Sequence, residues 1–137
     1  MAHWLYKSEP SAWSWDDQVA AGDAGTAWTG VRNHLAKKHL QAMKIGDLGF
    51  FYHSNEGKAV VGVVEVIREY YPDDTDPSGR FGMVDLKAVE PLRQPVTLDA
   101  IKAQSDLAEM ALIKNSRLSV QPVTEEEWRS VRKMGGL

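Results

Sequence analysis

Leu48-Gly49-Phe50-Phe51-Tyr52-His53 precedes Ala59-Val60-Val61-Gly62-Val63-Val64-Glu65-Val66-Ile67-Arg68, and how these two runs are read decides the fold class. Aromatic and β-branched residues fill both, the composition that suits a pleated, half-buried surface. Asn55-Glu56-Gly57 between them supplies a turn. Strands so close in sequence pair antiparallel. Gly62 marks either a bulge or a point where another group packs close to the backbone.

Upstream of the pair, Ile45-Gly46-Asp47 is a turn. Before it, Asn33 to Met43 reads as a helix, because Ala36, Leu40 and Met43 recur at i, i+4 and i+7. His3 to Lys7 reads as a strand that Pro10 ends. Ser14, with Asp17 three residues on, caps a short helix that stops before Gly22. Downstream, residues 72–79 are dense in turn formers and read as a surface connection. Phe81 to Val89 follows as a strand, Val84, Leu86 and Ala88 facing inward and Asp85 and Lys87 outward. Thr97 to Ala103 is a short helix, and Leu118 to Gln121 a closing strand. A capping box of Thr124 and Glu127, with Val123 placed to staple Trp128, starts the last helix. Helices and strands are interspersed along the chain, which predicts an α+β fold around a small curved sheet or barrel, with residues 1–137 forming a single domain.

The composition narrows the function. Of 137 residues 43% are hydrophobic and 26% charged, as in ordinary globular domains. With no cysteine, disulfides and thiolate metal sites are excluded, and a reducing, cytoplasmic setting is expected. No charged leader precedes Trp4 and no apolar run approaches bilayer length, so neither a signal peptide nor a membrane partner is expected. A net charge of −3 argues against coating nucleic acid by bulk attraction. The charges are nonetheless segregated. Val31 to Gly46 and Met110 to Thr124 hold no acid, while Asp73, Asp74, Asp76 and Glu125 to Glu127 collect them. Arg32, Lys37 and Arg117 in the acid-free runs are candidates for a few phosphate contacts.

Catalytic signatures are scarce. The four histidines, His3, His34, His39 and His53, form no ligand pattern, so no metal is expected, and neither a phosphate loop nor a GxSxG elbow is present. His53 and Ser54 adjoin on a strand and point to opposite faces, which is wrong for a nucleophile and its base. No cofactor is expected. The five tryptophans carry more information. Core packing accounts for Trp4 on a strand and Trp128 in a staple. Trp28 lies in Gly25-Thr26-Ala27-Trp28-Thr29-Gly30-Val31-Arg32-Asn33, between glycines and just ahead of a basic run. An indole so placed can stack a nucleobase while polar neighbours read its edge.

Several segments, in order along the chain, resemble one family. Tyr6-Lys7-Ser8-Glu9-Pro10 is similar to its N-terminal strand motif, and Trp28-Thr29-Gly30-Val31-Arg32-Asn33 to its WxGVRN signature. Gly46-Asp47 with Phe50-Phe51-Tyr52-His53-Ser54 resembles its GD…FYHS stretch. Gly62 to Val66, Pro95 to Leu98 and Ser116 to Val123 extend the likeness. The family is the EVE domain, and the resemblance runs from residue 4 to 128. It implies a PUA-like fold, a small curved β-barrel flanked by short helices, related to YTH and ASCH domains.

The resemblance also implies a non-catalytic module that reads a modified, flipped base of DNA or RNA. On that reading Lys7, Ser8, Glu9, Trp28, Val31, Asn33, His53, Ser54, Leu118 and Ser119 form the base pocket. Trp28 stacks, Ser8, Asn33, His53 and Ser54 hydrogen-bond the base, and Val31 and Leu118 make an apolar wall. Arg32, Lys37 and Arg117 hold phosphates. Other roles are open to the same residues. Arg32 and Arg117 could brace Glu9 or Asp47, Asn33 could cap its helix, and His53 could be a satisfied strand histidine. An enzyme using Glu9 or His53 on a modified base, and a pocket for a small metabolite, are the competing functions.

Overall fold

A computed structural model describes residues 1–137. The two runs that open the sequence argument are strands β3 (Leu48–His53) and β4 (Ala59–Pro72), paired antiparallel with Leu48 opposite Glu65 and His53 opposite Ala59. Beside β3 lies β1 (His3–Ser8), running parallel to it, and β6 (Val120–Val123) pairs antiparallel on the far side of β1. β5 (Gly82–Thr97) continues the hairpin from β4, and the two-residue β2 (Thr26–Ala27) sits outside β5. The order is β2-β5-β4-β3-β1-β6. The end strands β2 and β6 do not pair, so the sheet curls like a barrel without closing. Helix α2 (His34–Ala42) packs on β6, β5 and β4 and so covers the open side.

Alternation along the strands explains why they read as continuous apolar runs. Trp4 and Tyr6 of β1, Phe51 of β3 and Val64 and Val66 of β4 join one core with Ala36, Leu40 and Met43 of α2. Leu5, Phe50, Tyr52, Val60 and Val63 join a second core on the other face. That face is covered by α3 (Leu98–Lys102), α4 (Ala111–Lys114) and α5 (Glu125–Met134), through Ile101, Leu112, Trp128 and Val131.

The sequence reading of Gly62 holds in both of its forms. The β4–β5 register shifts between Val60 and Gly62, and a Cβ on Gly62 would overlap the ring of Trp15. Trp15 opens α1 (Trp15–Ala20), whose predicted cap is present: the Ser14 hydroxyl accepts from Asp17 N–H at 3.1 Å, and the Asp17 carboxylate accepts from Ser14 N–H at 2.9 Å.

Two expectations are corrected. β5 runs to Thr97, well past Val89, through Pro91 and Pro95. Past Leu86 its only neighbouring strand is β4, and an edge strand tolerates residues that cannot donate. The segment 72–81 is not a plain surface connection, for Asp73 and Asp76 are buried within it. No helix is long and apolar enough to cross a membrane.

Candidate functional site

β1 ends at Ser8, and the chain turns through Glu9-Pro10 before α1 begins. β2 and the residues after it run alongside. Between these two segments lies a hollow of about 540 Å³ lined by Lys7, Ser8, Glu9, Ala12 and Trp13 on one side and residues 26–30 on the other. That volume is typical of small-molecule sites.

Trp28 borders this hollow and belongs to the core as well. It is 8% exposed, packed edge-on against Tyr6 and Phe51, and its N–H donates to the Val84 carbonyl at 2.8 Å. Its indole N–H has no partner within the chain and is not sealed from solvent.

Trp13 is the second indole at the hollow and is only half-buried. Its ring nitrogen donates to Gln18 Oε1 at 2.9 Å, and the Gln18 amide donates to the Leu86 carbonyl at 3.0 Å. Gln18 is fully buried and therefore fixes the Trp13 ring relative to the sheet. The Ser8 hydroxyl ties the same turn, donating to the Trp13 carbonyl at 2.5 Å. The Glu9 carboxylate accepts from the Asn55 amide at 2.8 Å and is otherwise exposed. Lys7 Nζ donates to the Ser116 carbonyl at 2.6 Å, and burial lowers its pKa.

The opposite wall is pinned by Asp73. Its carboxylate accepts from Gly30 N–H at 2.9 Å, Arg32 Nη1 at 3.2 Å and Thr75 N–H at 2.8 Å. Burial raises the pKa of this carboxyl, but the bonds from Thr75, Gly30 and Arg32 outweigh burial and hold it below the usual value. Beyond Arg32, the rings of Phe81 and His34 lie 5.0 Å apart, and Arg32 and Lys37 each approach Phe81 at 5.8 Å.

A family model described as the EVE domain matches residues 2–134. The chain belongs to the EVE family. Human thymocyte nuclear protein 1 is 34% identical to this EVE domain over 93% of the chain and 71% of its own length. The Gallus gallus protein of the same name is 36% identical over 92% of the chain, but only 65% of that relative is spanned. Among solved structures, Rpa0253 from Rhodopseudomonas palustris superposes with a TM-score of 0.94 at 67% identity, covering 99% of this chain and 94% of that one. Human thymocyte nuclear protein 1, crystallised in complex with 5-methylcytosine-containing DNA, superposes with a TM-score of 0.94 at 32% identity, covering 100% and 99%. An ASCH protein from Zymomonas mobilis, at 10% identity and a TM-score of 0.62, shares the fold.

Of the residues named from sequence, the EVE domain gathers Lys7, Ser8, Glu9 and Trp28 at the hollow. Val31 and Leu118 do not form its wall; both are buried in the core that also holds Trp28. The Asn33 side chain caps α2, accepting from Ala36 N–H at 3.0 Å. His53 Nε2 accepts from Trp15 N–H at 3.0 Å, satisfying a first-turn donor of α1 that has no partner inside the helix. Burial lowers the His53 pKa against the opposing pull of Asp16, which favours the neutral ring that accepts this bond. Ser54 borders a second, smaller cavity. Ser119 offers its carbonyl to Lys7 N–H at 2.9 Å, and Arg117 is exposed without an ion pair. Arg32 does brace the fold, but on Asp73 rather than on Glu9 or Asp47. Trp13 was missed. The signal available was a large aromatic directly before a helix cap, five residues after the end of a strand.

Proposed function

We propose that residues 1–137 act as one non-catalytic module that holds a modified base of DNA or RNA, swung out of its strand, in the hollow between Ser8–Trp13 and residues 26–30. The observation that carries this reading is a cavity roomy enough for a base, with two indoles and a polar strand end on its walls. Stacking on an aromatic suits any base, and the polar groups around it supply discrimination. A carboxylate such as Glu9 accepts from the exocyclic amine of cytosine, the free Trp28 N–H suits a carbonyl, and Ala12 and Ala27 offer apolar contact to a methyl group. Human thymocyte nuclear protein 1, crystallised with 5-methylcytosine-containing DNA, makes that base the first to test. The cysteine-free composition supports a reducing, cytoplasmic setting.

Binding is favoured over turnover by what the two possible acid-base groups already do. His53 Nε2 is engaged by Trp15 and does not face the hollow, while Glu9 is tied to Asn55. Neither meets a nucleophile.

The test is a titration of labelled DNA and RNA, single- and double-stranded, carrying 5-methylcytosine or cytosine at one position and fixed salt. The protein should prefer the methylated strand, and Trp13→Ala should weaken that binding about tenfold to a hundredfold, the worth of one base–aromatic stack. A parent that treats both strands alike, or a folded Trp13→Ala variant that binds as the parent does, overturns the reading. Free 5-methyl-2′-deoxycytidine binding as tightly as the oligonucleotide would instead indicate a metabolite pocket.

A further inference from the structure

A second cavity of about 230 Å³ adjoins the first, and Lys7 lines both. Its other walls are Tyr52, Ser54, Asn55, Lys58, Leu98, Leu112 and Ser116. No carboxylate is among them. Lys58 has no ion-pair partner, and Lys7 donates one of its three protons to Ser116. Glu9 takes the Asn55 amide without lining this second cavity. Two cations, three hydroxyls and an amide thus share this lining with two leucines, and with no carboxylate among them the space suits an anion.

The backbone holds this arrangement at some cost. Lys58 has φ +30°, a conformation that a side chain with a Cβ rarely adopts, directly after Gly57 at φ +77°. Its carbonyl is fixed by Leu98 N–H at 2.8 Å. Glycine would relieve the strain at position 58, yet the position carries a long cation on the wall of an acid-free cavity. On the other wall, three carbonyls, those of Ala111, Asn115 and Leu118, converge on the Gln121 amide and fix the turn that bears Ser116.

We propose that the second cavity is the seat of the backbone phosphate adjacent to the base held in the first, with Lys58 and Lys7 as its cationic walls. This rests on the base-holding reading above. Lys7, shared by both cavities, would couple base entry to strand register: the base reaches its hollow only when the neighbouring phosphate is seated.

The experiment is a cycle between protein and strand. Duplexes carry one 5-methylcytosine, with the phosphate on its 5′ or 3′ side replaced in turn by a neutral methylphosphonate, and are titrated against the parent and Lys58→Gln. On the all-phosphate strand Lys58→Gln should bind about fivefold more weakly, as for loss of one partly exposed charge pair. One of the two neutral linkages should weaken the parent by a similar factor and have no further effect on Lys58→Gln. The preference for 5-methylcytosine over cytosine should be the same in both proteins. Lys58→Gly, which removes the strain with the cation, should keep or raise the parent's Tm while binding as weakly as Lys58→Gln. If the two losses simply multiply, or Lys58→Gln binds as the parent does, the phosphate seat is overturned while base reading stands. A parent with no preference for 5-methylcytosine overturns both.

Discussion

At the scale of single residues, the two indoles of the hollow divide the work. Trp28 was legible because glycines and a basic run surround it, yet most of its surface is committed to Tyr6 and Phe51. Trp13 was not legible, since its role depends on Gln18 reaching Leu86 across 68 positions of chain, a contact that no local pattern encodes. The same limit hid the true partners of Asn33 and His53. A helix-capping asparagine and a base-reading one look alike until Ala36 N–H is seen at 3.0 Å. The division predicts different costs on truncation. Trp28→Ala leaves a void in the core and should destabilise folding by about 3–5 kcal/mol. Trp13→Ala removes a half-exposed ring and should cost about 1–2 kcal/mol. Urea unfolding of both variants measures this. Equal losses would mean that Trp13 is as much a core residue as Trp28, and binding data on Trp13→Ala would then have to be corrected for unfolding.

At the scale of elements, strands with strong alternation and helices with explicit caps were readable, and the pieces set by tertiary contact were not. β2 is two residues long and exists because β5 offers an edge. The segment 72–81 has the composition of a turn, and turn composition does not show which side chains face inward. Asp73 and Asp76 do so because they collect N–H donors that would otherwise lack partners. Asp76 accepts from the Ser78 hydroxyl at 2.6 Å, Ser78 N–H at 2.9 Å and Phe81 N–H at 2.8 Å. These bonds, that from the Ser78 hydroxyl foremost, bring its pKa from 3.8 down to about 2 against the effect of burial. A folded-state pKa below the unfolded one contributes stability that is fully present above the unfolded value and is lost as pH falls through the folded one. Denaturant midpoints between pH 5 and 2 should therefore fall as pH drops from about 4 toward about 2. The fall should be shallower in Asp76→Asn, which is also less stable at neutral pH. Parallel curves for the two proteins would show that the carboxylate is not held in its charged form by the segment.

At the scale of the whole molecule, an acidic protein is proposed to bind a polyanion, and the arrangement of the chain limits how it can do so. The curled sheet is buried on both faces, so the cations near the hollow lie at its margins: Arg32 and Lys37 beyond the Gly30 wall, Lys7 and Lys58 on the other side. Arg32 is already half-spent on Asp73, its side chain only 40% exposed. Arg117 is free at the surface. The acids at Asp74 and Glu125–Glu127 discourage any broader footprint. Affinity must then come mainly from the base in its hollow and only secondarily from phosphates. Each phosphate neutralised on duplex DNA adds about −0.9 to the slope of log K against log salt, so three to five contacts give roughly −3 to −4.5. Titration of a 5-methylcytosine duplex across a range of salt should return a slope in that interval. On unmodified duplex the affinity should drop while the slope stays nearly unchanged, because the phosphates are the same and only the base contacts differ. A much steeper slope would mean that a wide electrostatic surface carries the binding. A slope that collapses along with the affinity on unmodified DNA would mean that phosphates are engaged only after the base is seated, the reverse of the order that the cavity shared through Lys7 would impose.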